Sequence, residues 1–297
     1  MYTDARTIVG TFVVVLVFGN CFAVPAAGQN ASADDPIYSS TTPLDEDGTD
    51  EITARVARVS FESGEVRIRR SDSDEWESIT LNLPVVEGDG IVTESGARLE
   101  LQLAKDQHLR LAENSSLKLT TYSDEGIAVS LSSGTMHLGL ISLDTERAFF
   151  EIDAPRTTVA IGSAGSSRID AGGIGAAEVR IAAIEGEARI YTATAGFTLK
   201  GGRSARLYID GPMEGEWENG SAVASLDDFG RWTTDRDELI SLRLKAAHYD
   251  RYYDDDIYGA ADLNDNGEWV HTRDYGFVCR PYSSAISGYA DWSPYRY

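Results

Sequence analysis

The fold class is decided by the stretch Glu87-Gly88-Asp89-Gly90-Ile91-Val92-Thr93-Glu94-Ser95-Gly96-Ala97-Arg98-Leu99-Glu100-Leu101-Gln102-Leu103. In its second half the apolar residues alternate with polar ones. This period of two predicts a strand with one buried side and one side that faces solvent. The glycines on either side of the short apolar run supply the backbone geometry of turns. The stretch therefore predicts two successive strands bounded by tight turns.

The same alternation of apolar residues and turn signals extends over residues 54–207. Strand patterns recur about every ten residues, which is typical of an all-β sandwich, roll or barrel. No stretch of ten or more residues in this region shows the period of a helix. We therefore predict an all-β domain over residues 54–210.

The N-terminal residues predict export. Residues 1–28 combine a short charged start, an apolar run and small residues at Ala26-Ala27-Gly28, as in a cleaved secretory signal peptide. The alternative, an uncleaved membrane anchor over about residues 7–27, has to accommodate Asn20 and Pro25. Residues 29–53 are polar and acidic, so we predict a disordered linker there. We expect a periplasmic or secreted protein with no membrane span after cleavage.

Charge and cysteine content narrow the function classes further. The chain has 297 residues and a formal net charge of −22, which disfavours binding to nucleic acid or to anionic lipid. Of its two cysteines, Cys21 lies in the predicted signal peptide, where a lipoprotein role would need smaller preceding residues. Cys279 would then remain alone, so we predict no disulfide and no metal–cysteine cluster.

A set of short motifs recurs in a fixed order along this region: Gly64-Glu65-Val66, Trp76, Gly88 to Thr93, the strand from Ala97, Asn114 to Leu117, Gly134 with Met136, Phe150 to Pro155 and Glu185-Gly186-Glu187. In this order they resemble the FecR family over about residues 56–208. The resemblance implies a periplasmic all-β domain with a roll-like or solenoid-like arrangement of short strands. In the transmembrane regulators of that family, the domain passes a signal from an outer-membrane transporter to a cytoplasmic sigma factor. Only about seven residues precede the apolar run here, so we expect no sigma-factor arm and a role in binding or scaffolding.

The sequence pattern changes at about residue 222 and again at about residue 249. Residues 222–248 predict a helical arm, with a capping-box pattern at Ser225 and Asp228 and loosely spaced apolar residues after it. Residues 249–297 are rich in tyrosine and tryptophan and resemble an uncharacterised segment that follows FecR-like domains. Because those segments continue past the position of Tyr297, we expect an irregular tail that is cut short.

The aromatic tail supplies the candidate binding residues, Trp269, Tyr275, Trp292 and Tyr295. Tyrosine and tryptophan stack on sugars and anchor protein interfaces, so these residues indicate binding to an envelope protein or a cell-wall glycan. The alternative is that the same rings form a small local core.

A calcium loop is a second hypothesis, because Asp262, Asn264, Asn266 and Gly267 match the first half of such a loop. Arg273 stands where the twelfth-position acid belongs. A polar turn before a strand explains these residues equally well, and we predict no metal and no cofactor.

Catalysis has little support in the sequence. His108 and His137 lie on predicted strands, where a half-exposed histidine is common, and neither His248 nor His271 belongs to a recognisable catalytic motif. We therefore predict no catalytic residue and a non-enzymatic envelope protein that binds a protein or a glycan. The alternatives are a periplasmic signalling module that acts through a partner membrane protein, and a glycan-active enzyme with two facing carboxylates.

Overall fold

The computed structural model describes residues 55–222, 227–246 and 258–286. The predicted signal peptide and acidic linker, residues 1–28 and 29–53, lie outside the described residues. The first nine strands are β1 (Ala57–Ser63), β2 (Val66–Arg69), β3 (Trp76–Ser78), β4 (Pro84–Val85), β5 (Gly90–Thr93), β6 (Arg98–Ala104), β7 (Gln107–Leu111), β8 (Ser115–Ser123) and β9 (Gly126–Leu140). The next eight are β10 (Phe149–Ala154), β11 (Thr157–Ile161), β12 (Gly165–Gly172), β13 (Glu178–Glu185), β14 (Glu187–Thr192), β15 (Gly196–Lys200), β16 (Arg203–Tyr208) and β17 (Trp217–Ser221).

These strands form two sheets. Sheet A has the order β3-β2-β5-β8-β9-β10-β11-β14-β15, with only β9 and β10 parallel. Sheet B has the order β4-β1-β6-β7-β9-β12-β13-β16-β17 and is antiparallel throughout. One hydrophobic cluster contains residues of both sheets, so the two layers share a core. This confirms the predicted all-β class of short strands.

Strand β9 belongs to both sheets. Its first half pairs with β8 and β10 in sheet A, and its second half pairs with β7 and β12 in sheet B. The change of sheet occurs at Gly134, which has a φ of 86°. A Cβ at this position would lie 2.4 Å from the Cα of Ser115 on β8. Strand β9 is therefore continuous and bends at Gly134, because glycine permits a positive φ.

Asp89, which stands between Gly88 and Gly90, has a structural role in the turns at one end of the sheets. The Asp89 side chain is buried and accepts hydrogen bonds from the backbone amides of Ser71 and Val86, at 3.2 and 3.0 Å. Arg70 Nη1 donates to the same carboxylate at 2.9 Å. The aspartate therefore joins two turns at one end of the sheets, and its charge is neutralised by the arginine.

The sheet continues past the predicted end of the domain at residue 210. Strand β17 pairs with β16 along its whole length, so sheet B includes residues 217–221. Trp217 stacks on Phe197 of β15, with ring centroids 5.1 Å apart. Since β15 and β17 are the last strands of sheets A and B, this aromatic pair covers the end of the shared core.

Helix α1 (Asp228–Ala246) follows sheet B and is the predicted helical arm. Its start is capped by Asp227, whose carboxylate accepts from the Gly230 amide at 2.6 Å. Ser225, the cap expected from the sequence, lies outside the described residues. The Trp232 ring packs against Phe61 of β1 with a centroid distance of 5.3 Å, which places the helix on sheet B.

The tail contains regular structure between residues 258 and 286. Helix α2 (Ala260–Asn266) leads into a hairpin of β18 (Gly267–Thr272) and β19 (Gly276–Pro281), and a short helix α3 (Ser283–Ile286) follows. Tyr258 Oη donates to the Leu103 carbonyl at 2.9 Å, which ties the start of this module to β6. No helix within the described ranges is both long and apolar enough to cross a membrane.

Candidate binding groove between helix α1 and sheet B

The outer face of sheet B carries charged side chains where helix α1 lies. Alternation along β6 and β7 turns the leucines into the core and turns Glu100, His108 and Arg110 outwards. The sequence predicted that this side of β6 faces solvent. In the structure Glu100 and Arg110 are fully buried, because the helix covers them.

Glu100 is the centre of a buried ionic cluster. Its carboxylate accepts from Arg110 Nε at 2.7 Å, from Arg236 Nε of α1 at 3.1 Å and from Ser60 Oγ at 2.7 Å. Burial alone would raise the pKa of Glu100, but the hydrogen bond from Arg236 and the neighbouring positive charge lower it well below the usual range. Glu100 is therefore ionised and holds a strand and the helix together.

Arg110 makes the second link to the helix. Its Nη1 lies 2.7 Å from Asp237 Oδ1 and 3.4 Å from the Thr233 carbonyl, both on α1. Gly139 of β9 leaves room for this approach, since a Cβ there would lie 3.2 Å from the Asp237 carboxylate. Arg110 Nη2 is buried without a hydrogen-bond partner. Two strands and one helix therefore converge on a single guanidinium group.

Two histidines beside this cluster are neutral. His108 and His137 are 5% and 4% exposed, so the prediction that they are half-exposed is wrong, because α1 covers this part of the sheet. Burial, opposed in part by Glu100, lowers the pKa of His108 to about 4. Burial and the charge of Arg110 lower the pKa of His137 to about 3. His137 Nδ1 lies 3.4 Å from Arg110 Nη1, and because arginine only donates, this nitrogen acts as an acceptor.

A second ion pair anchors the start of the helix. Arg168 of β12 contacts Asp227 at 2.8 Å and Asp170 at 3.0 Å. Its guanidinium carbon lies 5.7 Å from the centre of the Phe229 ring. Helix α1 is therefore fixed by charged contacts at its N-terminal end and near its middle.

A groove of about 930 Å³ lies between α1 and the strands β7, β9, β12 and β13. Its apolar lining includes Ile141 at the end of β9 and Leu242 on the helix, which are 56% and 64% exposed. Carboxylates line it as well, from Asp106, Glu185 and Glu238 in addition to Asp237. The volume is at the upper end of the range of ligand pockets, so the groove has room for a segment of another molecule.

The titratable side chains of the groove include His108, His137 and Asp237. Neither His108 nor His137 is hydrogen-bonded to a serine or threonine hydroxyl, and the carboxylate of Asp237 is held by Arg110. Burial raises the pKa of Asp237, while Arg110 opposes that shift. Within residues 55–222, 227–246 and 258–286, no group of three or more His, Cys, Asp or Glu side chains could hold a metal ion.

The predicted aromatic site is described only in part. Trp269 lies in β18, opposite Cys279 of β19, and is partly buried. Tyr275 lies in the turn of the hairpin and is 82% exposed. Trp292 and Tyr295 lie outside the described residues. The proposal that these rings bind a partner therefore stays a prediction.

The calcium-loop hypothesis is wrong for the region around Asp262. Residues 262–266 lie in helix α2 and do not form a loop. The Asp262 carboxylate pairs with Arg58 of β1 and with Arg243 of α1, the latter at 2.8 Å. The residue therefore fastens the tail module to the sheet and to the helix.

Sequence reasoning missed the groove, although one signal was present. The polar sides of β6, β7 and β9 carry Glu100, Arg110 and His137, which is an unusual mixture for a side that only faces water. Such a mixture indicates a covering element with matching charges. The adjacent Arg236 and Asp237 of the helical arm supply that match.

Comparison with known proteins agrees with this all-β domain. Residues 89–196 match the family model described as FecR protein, so the predicted FecR resemblance is confirmed and the chain carries a FecR-like domain. Two crystal structures of a "putative anti-sigma factor" from Parabacteroides distasonis are similar, at 13% and 11% sequence identity. Each match has a TM-score of 0.41 and covers 65% of this chain and 99% of the other. No curated protein matches the sequence.

Proposed function

We propose that the chain is a non-enzymatic protein of the bacterial cell envelope that binds a partner protein through its FecR-like β-domain. The observation that carries this proposal is the groove beside α1. The helix that forms one wall is fixed to sheet B by the buried cluster of Glu100, Arg110 and Arg236. A surface that is already ordered loses little conformational entropy on binding, and this favours recognition.

The aromatic tail supports a second contact in the same proposal. Tyr275 presents an exposed ring at the tip of the β18–β19 hairpin, where it can stack on a sugar or pack on a protein surface. The module that carries the hairpin is tied to the β-domain by Asp262 and Tyr258. A partner that occupies the groove and reaches the hairpin would therefore meet one continuous body.

The experiment is site-specific photocrosslinking in the producing cells. A photoreactive amino acid replaces Leu242 in the groove, and a matched variant carries it at Tyr191, which is exposed on sheet A. We expect a discrete protein adduct from Leu242 and none from Tyr191. Tyr275→Ala, which removes an exposed ring without affecting the core, reports on the hairpin: loss of a glycan or protein contact would support the aromatic site.

A signalling module is the second candidate, and the FecR match favours it. The resemblance to the transmembrane FecR regulators implies relay of a signal through a partner, so the crosslinked protein would be a membrane protein that controls gene expression. Comparison of transcripts between the wild type and a strain with Glu238→Lys in the groove would test this. A changed transcript set under an inducing condition supports signalling, and an unchanged set across conditions contradicts it.

The glycan-active alternative is tested by turnover. The groove carries several carboxylates, and Asp237 is the one with a raised pKa, as expected of a general acid. A panel of envelope polysaccharides should show no cleavage above a blank. Cleavage that disappears in Asp237→Asn would overturn the non-enzymatic proposal.

A further inference from the structure

We infer that the groove between α1 and sheet B takes a cationic amphipathic segment of a partner protein, in which lysine or arginine alternates with aliphatic side chains. This inference rests on the proposed function and deepens it by naming the chemistry of the partner. Three features of the lining support it: carboxylates without a salt bridge to a described residue, exposed aliphatic side chains on the helix and on the sheet, and a neutral imidazole that lines the groove.

The rim of the groove is negative. Glu185 and Glu238 are exposed, Asp106 is half-buried, and none of the three makes a salt bridge with a described residue. Among the described lining residues, Arg168 is the single arginine or lysine, and its charge is neutralised by Asp170 and Asp227. The groove therefore offers negative charge that the protein itself leaves uncompensated.

The walls of the groove are apolar below that rim. Ile141, which follows the last residue of β9, and Leu242 of the helix are both more than half exposed, and Ile184 of β13 also belongs to the lining. Burial of exposed aliphatic side chains by a partner is favourable. An occupant thus needs aliphatic side chains as well as positive charge.

His108 forms part of the floor and supplies a polar contact. His108 is 5% exposed, lines the groove and makes no side-chain hydrogen bond with a residue that the structure describes. Because its lowered pKa keeps the imidazole neutral, one ring nitrogen donates and the other accepts. Because His108 lines the groove, a backbone amide or carbonyl of a bound segment could form a hydrogen bond with its ring.

Other ligand classes fit this lining less well. The net charge of −22 and the acidic rim repel phosphate and anionic lipid. A glycan would be expected to stack on an open ring, but Phe229, which lines the groove, lies beneath the Arg168 guanidinium. A cationic segment, by contrast, is attracted by the field of the whole chain before it reaches the groove.

The test uses the full chain without its predicted signal peptide and three fluorescein-labelled peptides of equal length. The probe is a helix-forming Lys/Leu peptide with its leucines on one face. The controls are a scrambled peptide of the same composition and a Glu/Leu peptide with the same pattern. In fluorescence polarisation we expect the patterned Lys/Leu peptide to bind at least about ten times more tightly than either control, with an affinity that falls as salt is added.

Variants of the protein separate the groove from general charge attraction. Glu185→Lys with Glu238→Lys should weaken binding of the patterned peptide at least about ten-fold. Glu151→Lys with Asp153→Lys makes the same change in net charge on the outer face of sheet A and should leave the affinity within about two-fold. Equal losses in the two double variants would overturn the inference.

The apolar wall has its own pair of variants. Leu242→Ser should weaken binding about five-fold or more, because the leucine is covered in the complex. Ile174→Ser, at a residue that is 98% exposed in the loop before β13, is the control and should have no effect. Since both side chains are exposed in the free protein, neither substitution should reduce its thermal stability.

Failure of this inference is distinguishable from failure of the proposed function. If Leu242 crosslinks to a partner but the patterned peptide does not bind, the inference is overturned and partner binding stands. If no adduct forms and no peptide binds, both the inference and the proposed partner binding are overturned. A crosslink from Leu242 to residues 287–297 of the same chain, or to a second copy, shows a different occupant and also overturns the inference.

Discussion

Glu100→Gln tests whether the buried cluster holds helix α1 on the sheet. The substitution keeps the shape of the side chain but removes its charge, which leaves Arg110 fully buried with one of its two carboxylate partners missing. Breaking a buried ion pair from one side costs about 3–5 kcal/mol, because the remaining charge is not solvated. We therefore expect a loss of free energy of unfolding in that range.

Urea denaturation followed by tryptophan fluorescence measures this loss. Trp232 on α1 packs against Phe61 of β1 and against Phe229, so its share of the emission of the five tryptophans changes when the helix leaves the sheet. With an m-value of about 2 kcal/mol per molar, the midpoint should fall by roughly 2 M. The matched control is Glu94→Gln, since the Glu94 side chain is 44% exposed in its pair with Arg67 and should contribute less than about 1 kcal/mol.

A triple variant gives a second check. Glu100→Leu with Arg110→Met and Arg236→Leu removes all three charges of the cluster and should recover at least half of the stability lost in the single variant, as apolar replacement of a buried ionic group often does. Two results would refute the proposed role of the cluster: a single variant as stable as the Glu94→Gln control, or a triple variant no more stable than Glu100→Gln.

Three further predictions concern stability. His108 and His137 have pKa values lowered to about 4 and about 3, so the stability gained from burying them in the neutral form is complete above pH 6.5 and is lost as the pH falls towards those values. The urea midpoint should therefore drop between about pH 6.5 and about pH 5. His108→Leu should make that drop smaller, and the largest loss of unfolding free energy that His108 alone can cause is roughly 3 kcal/mol. Gly134→Ala should cost at least about 2 kcal/mol in thermal denaturation, because φ is positive and the Cβ meets the neighbouring backbone, whereas Gly90→Ala, with open space around it, should be nearly neutral; equal effects would contradict the account of the bend. Asp89→Ala should cost about 2–3 kcal/mol by the loss of its hydrogen bonds to two turns, and an unchanged melting temperature would show that those turns hold without it.

Much of the β-domain could be predicted because its signals are local. Alternating leucines at positions such as Leu99 and Leu101 specify a strand and the side that meets the core, and both residues are buried. The glycines and aspartate around residue 89 mark turns for the same local reason. These features need no knowledge of what lies elsewhere in the chain.

The burial of Glu100 could not be predicted in this way. Glu100 stands at a position in the alternating strand that normally faces solvent. The helix that covers it begins at Asp228, more than a hundred residues later in the chain. Burial of the outer face of a sheet depends on tertiary packing, which local periodicity does not encode. The histidines were misjudged for the same reason.

The calcium hypothesis failed through a different cause. Asp262 and its neighbours have the spacing of oxygen ligands only if the backbone forms a loop, and the segment is helical instead. Pairing with Arg58 and Arg243 then uses the carboxylate that a cation would need. The partners of a charged side chain, unlike its spacing, become visible only in the folded chain.

The passage of β9 from one layer to the other has a consequence for how the domain unfolds. Its main chain is bonded to four different strands, so neither layer can lose its central strand without disrupting the other. Local opening of one sheet alone would break the ladder in both, which merges them into one cooperative unit. Hydrogen exchange at the amides of β8 and of β7 should therefore both occur through global unfolding. A mechanical force applied to either sheet would be carried by both.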